Sequence, residues 1–87
     1  MFNIMNRFAM WINYVSNLLV LLSDGKLQNI EIEESFYRAR HISTLNYNTL
    51  LYEGVTIHIT EKGKYQVYTG FETSNLHSMC SYIEESM

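Results

Sequence analysis

His77 and Cys80 stand three residues apart in a stretch of helical periodicity, a spacing that can turn an imidazole and a thiol toward one point. Two chemistries need such a pair: ligation of a zinc-type ion and nucleophilic attack by a thiolate. Two ligands do not complete a tetrahedral metal site, and His41 and His58 fall in stretches of strand-like alternation whose facing is not fixed. A reactive thiol needs an electropositive, partly exposed setting, whereas Cys80 lies on an apolar stripe that runs into Glu84 and Glu85. The expected role of Cys80 is therefore that of a small buried hydrophobe. Glu31, Glu33 and Glu34 cluster carboxylates on an exposed strand and turn. Acid–base catalysis requires one carboxyl to be desolvated so that two pKa values separate, and nothing here implies a pocket. The four glycines form no phosphate-binding pattern. No catalytic residue, metal or cofactor is expected, and the chain is expected to be non-enzymatic.

Arg38, Arg40, Tyr52, Thr56, His58, Gln66 and Tyr68 would share one sheet face if their segments are strands. Aromatic and basic side chains interleaved on a sheet suit protein contact, since Tyr and Arg are enriched at interface hot spots. They also suit base stacking and phosphate contact. With a formal net charge of −3, a protein interface ranks first, a solvated face second and nucleic acid third. A second candidate contact surface is one edge of the first helix, at Met10, Tyr14 and Leu21. These three flank an apolar stripe already wide enough to face a sheet, so they are expected to meet a partner or a second copy of the chain.

The elements that must position these residues follow from periodicity. From about Phe2 to Leu22, the residues Ile4, Phe8, Trp11, Val15, Leu18 and Leu22 recur on one helical stripe, widened by Met5, Ile12 and Leu19. Asn6, Asn13 and Asn17 take the opposite face, and Ser23-Asp24-Gly25 ends the helix with Gly25 in the left-handed position. Ile30 and Ile32 alternate with Glu31 and Glu33, and Phe36 to Ile42 follows. A loop from Glu33 to Phe36 would pair Ile32 with Tyr37 and Ile30 with Ala39, giving a hairpin. A helix through 33–42 is the rival, because Glu34 and Arg38 are also spaced i,i+4. Leu51, Val55, Ile57 and Ile59 form one strand face and Tyr65, Val67, Thr69 and Phe71 another. The loop Glu61-Lys62-Gly63 pairs Ile59 with Tyr65 and requires Gly63 to be left-handed, while Gly54 marks a bulge or close approach. Thr73 or Ser74 caps a final helix whose apolar face is Leu76, Met79, Cys80 and Ile83, with Glu84 and Glu85 poorly placed at its negative end. The expected fold is α+β: a four-stranded antiparallel meander with an N-terminal and a C-terminal helix, in a single domain spanning 1–87.

Composition bounds the class. The chain has 87 residues, 47% apolar, 14% aromatic and 17% charged, which favours a folded core over disorder and leaves little charge to cover it. One cysteine permits no internal disulfide. Arg7 and the apolar run after it superficially resemble a signal peptide, but Asn13, Ser16 and Asn17 interrupt the run. Met10 to Leu22 is too short and polar for a membrane span, so a cytoplasmic location is expected. Gly70-Phe71-Glu72-Thr73 ahead of a helix resembles the Gly-Phe-x-Thr step of the small β-sheet DNA-binding arms of integrases. The basic strands of those arms are missing, and no residue roles carry over. In size, acidity and lack of catalytic chemistry the chain is similar in type to small phage-encoded inhibitors, including anti-CRISPR proteins. The expected function is occupation of a surface on another macromolecule, most concretely as such an inhibitor. A nucleic-acid-binding module, or an accessory subunit or structural homodimer, is the alternative.

Overall fold

The computed structural model describes residues 2–24 and 29–87, with side chains described for 11–24 and 32–87. The expectations for the side chains of Ile4, Met5, Asn6, Phe8, Met10, Ile30 and Glu31, and for Gly25 as the end of the first helix, lie outside the described residues. The element order is α1 (Phe2–Asp24), α2 (Asn29–His41), β1 (Ile42–Asn46), β2 (Thr49–Tyr52), β3 (Val55–Ile59), β4 (Tyr65–Gln66), β5 (Glu72–Thr73) and α3 (Leu76–Glu85). The strands form one antiparallel meander in the order β1-β2-β3-β4-β5, so the α+β class with helices at both ends of the chain stands. The sheet has five strands, and a third helix precedes it.

That helix, α2, replaces the hairpin expected over residues 30–42. Ser35, Arg38, Ala39 and Ile42 are all buried, a spacing of i, i+3, i+4 and i+7. The hairpin would leave Phe36 in its loop and set Tyr37 beside Ile32, yet both Phe36 and Tyr37 are exposed on the outside of the helix. Glu33 to Phe36 also lacks the Gly, Asn or Pro that a tight hairpin needs. Arg38, Arg40 and His41 occupy the last turn, where positive charge meets the negative end of the helix dipole.

The strand expected over 51–59 is two strands joined at Glu53-Gly54, which both take positive φ, 49° and 78°. This two-residue turn pairs Tyr52 with Val55 and Leu50 with Ile57. Gly54 thus makes a hairpin instead of a bulge, and the parity of everything before it is reversed. Leu50 and Tyr52 face the core, and Leu51, expected beside Ile57, faces the other way with Thr56. The strand expected over 65–71 stops at Gln66, and a turn closed by the Gly70 N–H donating to Val67 O at 2.9 Å leads to β5.

The Glu61-Lys62-Gly63 loop is as expected: Ile59 pairs with Tyr65, and Gly63 has φ 79°. The Gly63 N–H donates to Thr60 O at 2.8 Å, and the Thr60 N–H to Lys64 O at 2.8 Å. A Cβ on Gly63 would meet nothing within 4 Å, so any penalty for a side chain there is backbone strain alone. Gly63→Val should therefore lower stability by at least about 1 kcal/mol, seen as a lower urea midpoint; an unchanged midpoint would reject the left-handed loop.

The core gathers Leu21, Ala39, Ile42, Leu50, Tyr52, Ile57 and Val67 against the α3 stripe Leu76, Met79, Cys80 and Ile83, which is buried throughout. The α3 N-cap is Asn75, its side chain accepting from the Ser78 N–H at 3.0 Å, and not Thr73 or Ser74. Thr73 instead accepts from the Asn75 N–H at 3.2 Å. Asp24 at the end of α1 accepts from the Leu76 N–H at 3.1 Å, placing a carboxylate on the positive end of α3.

Helix α1 is rotated by roughly a third of a turn from its expected orientation. Asn17 and Leu21 are buried and Tyr14 and Leu18 pack against the core, while Trp11, Ile12 and Leu19 are exposed. The reason is polar. The side-chain amides of Asn13 and Asn17 each donate to the Ile42 carbonyl at 3.0 Å. That oxygen lies at the start of an edge strand, and a carbonyl buried without partners costs about 1–3 kcal/mol.

Candidate functional site

Two features stand out among the described residues: a polar cluster between α2 and α3, and the outward face of α1.

The cluster is organised by Arg38, which is only 5% exposed. The buried face of α2 delivers it to α3, where Glu84 receives it in a fork: Nε donates to Oε2 at 3.0 Å and Nη2 to Oε1 at 2.9 Å. Nη2 also donates to Ser81 Oγ at 3.1 Å, Nη1 to His77 Nδ1 at 2.9 Å, and Glu34 lies 3.5 Å away on α2. The Tyr52 hydroxyl donates to Glu84 Oε2 from the sheet side. Burial alone would lower the Arg38 pKa, but the hydrogen bonds and charge of Glu84 reverse that and raise it. Arg38 in turn holds the Glu84 carboxyl below its ordinary range, with the Tyr52 hydroxyl assisting against partial burial. Burial, then the bond to Glu84, raises the Tyr52 phenol. The guanidinium ties α2 to α3, and Glu84 extends the tie to Tyr52 of β2.

Within this cluster Ser35 Oγ lies 3.0 Å from His77 Nε2, the distance of a nucleophile and its base. The donors decide otherwise. A guanidinium N–H can only donate, so His77 Nδ1 accepts from Arg38. The neutral ring then carries its proton on Nε2 and donates to Ser35, which leaves no lone pair to take the Ser35 proton. Cys80, one turn along α3, is fully buried and its thiol is pushed up to about 12 by that burial. His77 and Cys80 therefore do not converge on one site: the imidazole faces Ser35 and Arg38, and the thiol faces the core. No group of three or more His, Cys, Asp or Glu side chains among the described residues could hold a metal ion.

The face expected to carry Arg38, Arg40, Tyr52, His58 and Tyr68 together does not exist as one surface. Arg38 is buried on α2, Arg40 is exposed near the end of α2, and Tyr52 is fully buried in the core. His58 and Thr56 do lie on the open sheet face with Gln66, while Tyr68 projects from the β4–β5 turn, 89% exposed. Of the expected α1 edge, Leu21 is core and Tyr14 is half-buried, its ring 6.2 Å from that of Trp11. Sequence reasoning missed the Arg38–Glu84 pair, whose partners are 46 residues apart; the buried spacing 35, 38, 39 and 42 was its one readable trace.

The outward face of α1 carries Trp11 at 62%, Ile12 at 48%, Leu19 at 63% and Val20 at 37% exposure, with Ser16 between them. From Phe8 to Ser23 the chain contains no charged residue. Beside Trp11, a groove of about 720 Å³ opens between α1 and the end of α2, floored by Ala39 and Ile42 with Arg40 at its rim. No helix among the described residues is long and apolar enough to cross a membrane. No protein-family model matches the chain, and no curated protein or solved structure matches it.

Proposed function

We propose that the chain is a non-enzymatic protein-binding module whose contact surface is the outward face of α1. The observation that carries this reading is the row Trp11, Ile12, Leu19 and Val20, exposed together on a helical stretch without charge. Single exposed apolar residues are ordinary on a protein surface; four spread over the outward half of one uncharged helical stretch, with a tryptophan among them, are what interface cores are made of. The side chains that could have done chemistry support the same reading, because the Arg38 cluster uses Ser35, His77 and Glu84 to join secondary elements. A phage-type inhibitor of a host enzyme or defence complex is the most concrete form of this reading, and it rests on size, acidity and the absence of a catalytic motif. Nucleic acid is the weaker alternative, since the basic residues meant to contact phosphate are divided between a buried guanidinium and a helix end.

Photo-crosslinking tests the surface. With a photoreactive residue in place of Leu19, irradiation in cells should give a protein adduct, identified by mass spectrometry as another protein or as a second copy. The same residue at Tyr68, more solvent-accessible than Leu19 and placed on the β4–β5 turn, should give none. Adducts from position 68 and not from position 19 would overturn the assignment.

A further inference from the structure

We infer that the outward face of α1 is covered by the same face of a second copy, the two helices crossing antiparallel about a twofold axis between Val15 and Ser16. This rests on the reading of α1 as a contact surface and names its occupant.

The arrangement of side chains along the face is what points to self-pairing. A twofold axis between positions 15 and 16 brings Ile12 opposite Leu19 of the partner at the centre of the contact and sets Trp11 beside Val20 of the partner at its flank. Among the described residues, every large exposed side chain of this face thereby meets another large one. Half-buried Val15 and exposed Ser16, both small, fall at the crossing point, where helix axes approach most closely. A parallel pair would stack Trp11 on its own copy and leave Leu19 beside Leu19, without this matching of a large ring to a smaller side chain. Charge permits the contact as well. The chain carries −3 overall, so most of its surface repels a second copy, but the stretch from Phe8 to Ser23 has no charge to repel its twin. Antiparallel packing also sets opposite helix dipoles side by side. A C2 contact requires a patch complementary to itself, and this face meets that condition.

The four side chains offer roughly 400 Å² per chain, about half the ~800 Å² per partner of a standard stable interface. The dimer should therefore be weak and reversible.

Sedimentation velocity of the purified chain from about 5 to 500 µM should show a monomer–dimer equilibrium across that range. Leu19→Glu and Trp11→Glu, both at exposed positions and checked for folding by circular dichroism, should each weaken dimerisation by at least about tenfold. Orientation is read by disulfides. Ile12→Cys and Leu19→Cys proteins mixed under mild oxidation should form the mixed dimer, while each alone should not. In the antiparallel pair a residue at 12 lies about 10 Å along the axis from its own copy, beyond the ~7 Å limit for a disulfide. Self-linked Ile12→Cys would overturn the antiparallel arrangement, and a monomer at every concentration would overturn the second copy as occupant. If that monomer still crosslinks to another protein from position 19, the contact surface survives with a different partner. If it crosslinks to nothing, both inferences fall.

Discussion

Arg38→Ala is expected to destabilise the fold by about 3 kcal/mol, enough to threaten a domain whose whole stability is about 4–13 kcal/mol. Removing one member of a buried ion pair typically costs about 3–5 kcal/mol, because the other charge stays behind unpaired. The lower end applies here, since the Glu84 side chain is 37% exposed and can recover water. His77 Nδ1 and Ser81 Oγ would lose a donor at the same time. The pH dependence follows from Glu84. Its folded pKa is depressed by Arg38, so its contribution is fully present above the unfolded carboxyl pKa of about 4.3 and is lost as pH falls through the lower folded value. In Arg38→Ala the part of that depression due to the guanidinium disappears, and the stability Glu84 supplied through it is missing at neutral pH as well. Urea unfolding of both proteins between pH 2 and 7 measures this: the two curves should be furthest apart near neutrality and converge in acid. Equal midpoints at pH 7 would show that the guanidinium does not hold α2 to α3.

Leu21→Ala should cost about 2–5 kcal/mol, while Leu19→Ala, two residues away, should stay within about 0.5 kcal/mol. Leu21 is fully buried in the cluster that joins α1 to the sheet and α3, so truncation leaves a cavity there. Leu19 is 63% exposed on the other side of the same helix. Thermal or urea unfolding of the two variants reads out the orientation of α1 directly. The reverse order of effects would mean that the stripe of Trp11, Val15 and Leu22 faces the sheet after all, and would remove the surface on which the proposed binding depends.

What could be read from the chain alone was local. The α3 stripe at 76, 79, 80 and 83 is buried as its period required, because one turn of helix sets which side chains align. The Glu61-Lys62-Gly63 loop is likewise a property of a few residues: two strands in register and a glycine able to take positive φ. Parity errors arose where a local signal was weak. Glutamate is a poor marker of a left-handed turn position, so the hairpin at Glu53-Gly54 read as one strand, and Tyr52 was assigned to the wrong face. Residues 30–42 carried both a period of two and an i,i+4 charge pair, and the choice lay with Arg38 and its distant partner on α3. The facing of α1 was settled by a single atom. The Ile42 carbonyl needs donors when buried, Asn13 and Asn17 supply them from α1, and turning those amides inward turns Trp11, Ile12 and Leu19 out. Apolar patterning along a helix measures how much surface it would bury, but a buried polar atom elsewhere in the fold decides which side is buried, because leaving it unpaired costs as much as exposing a large side chain.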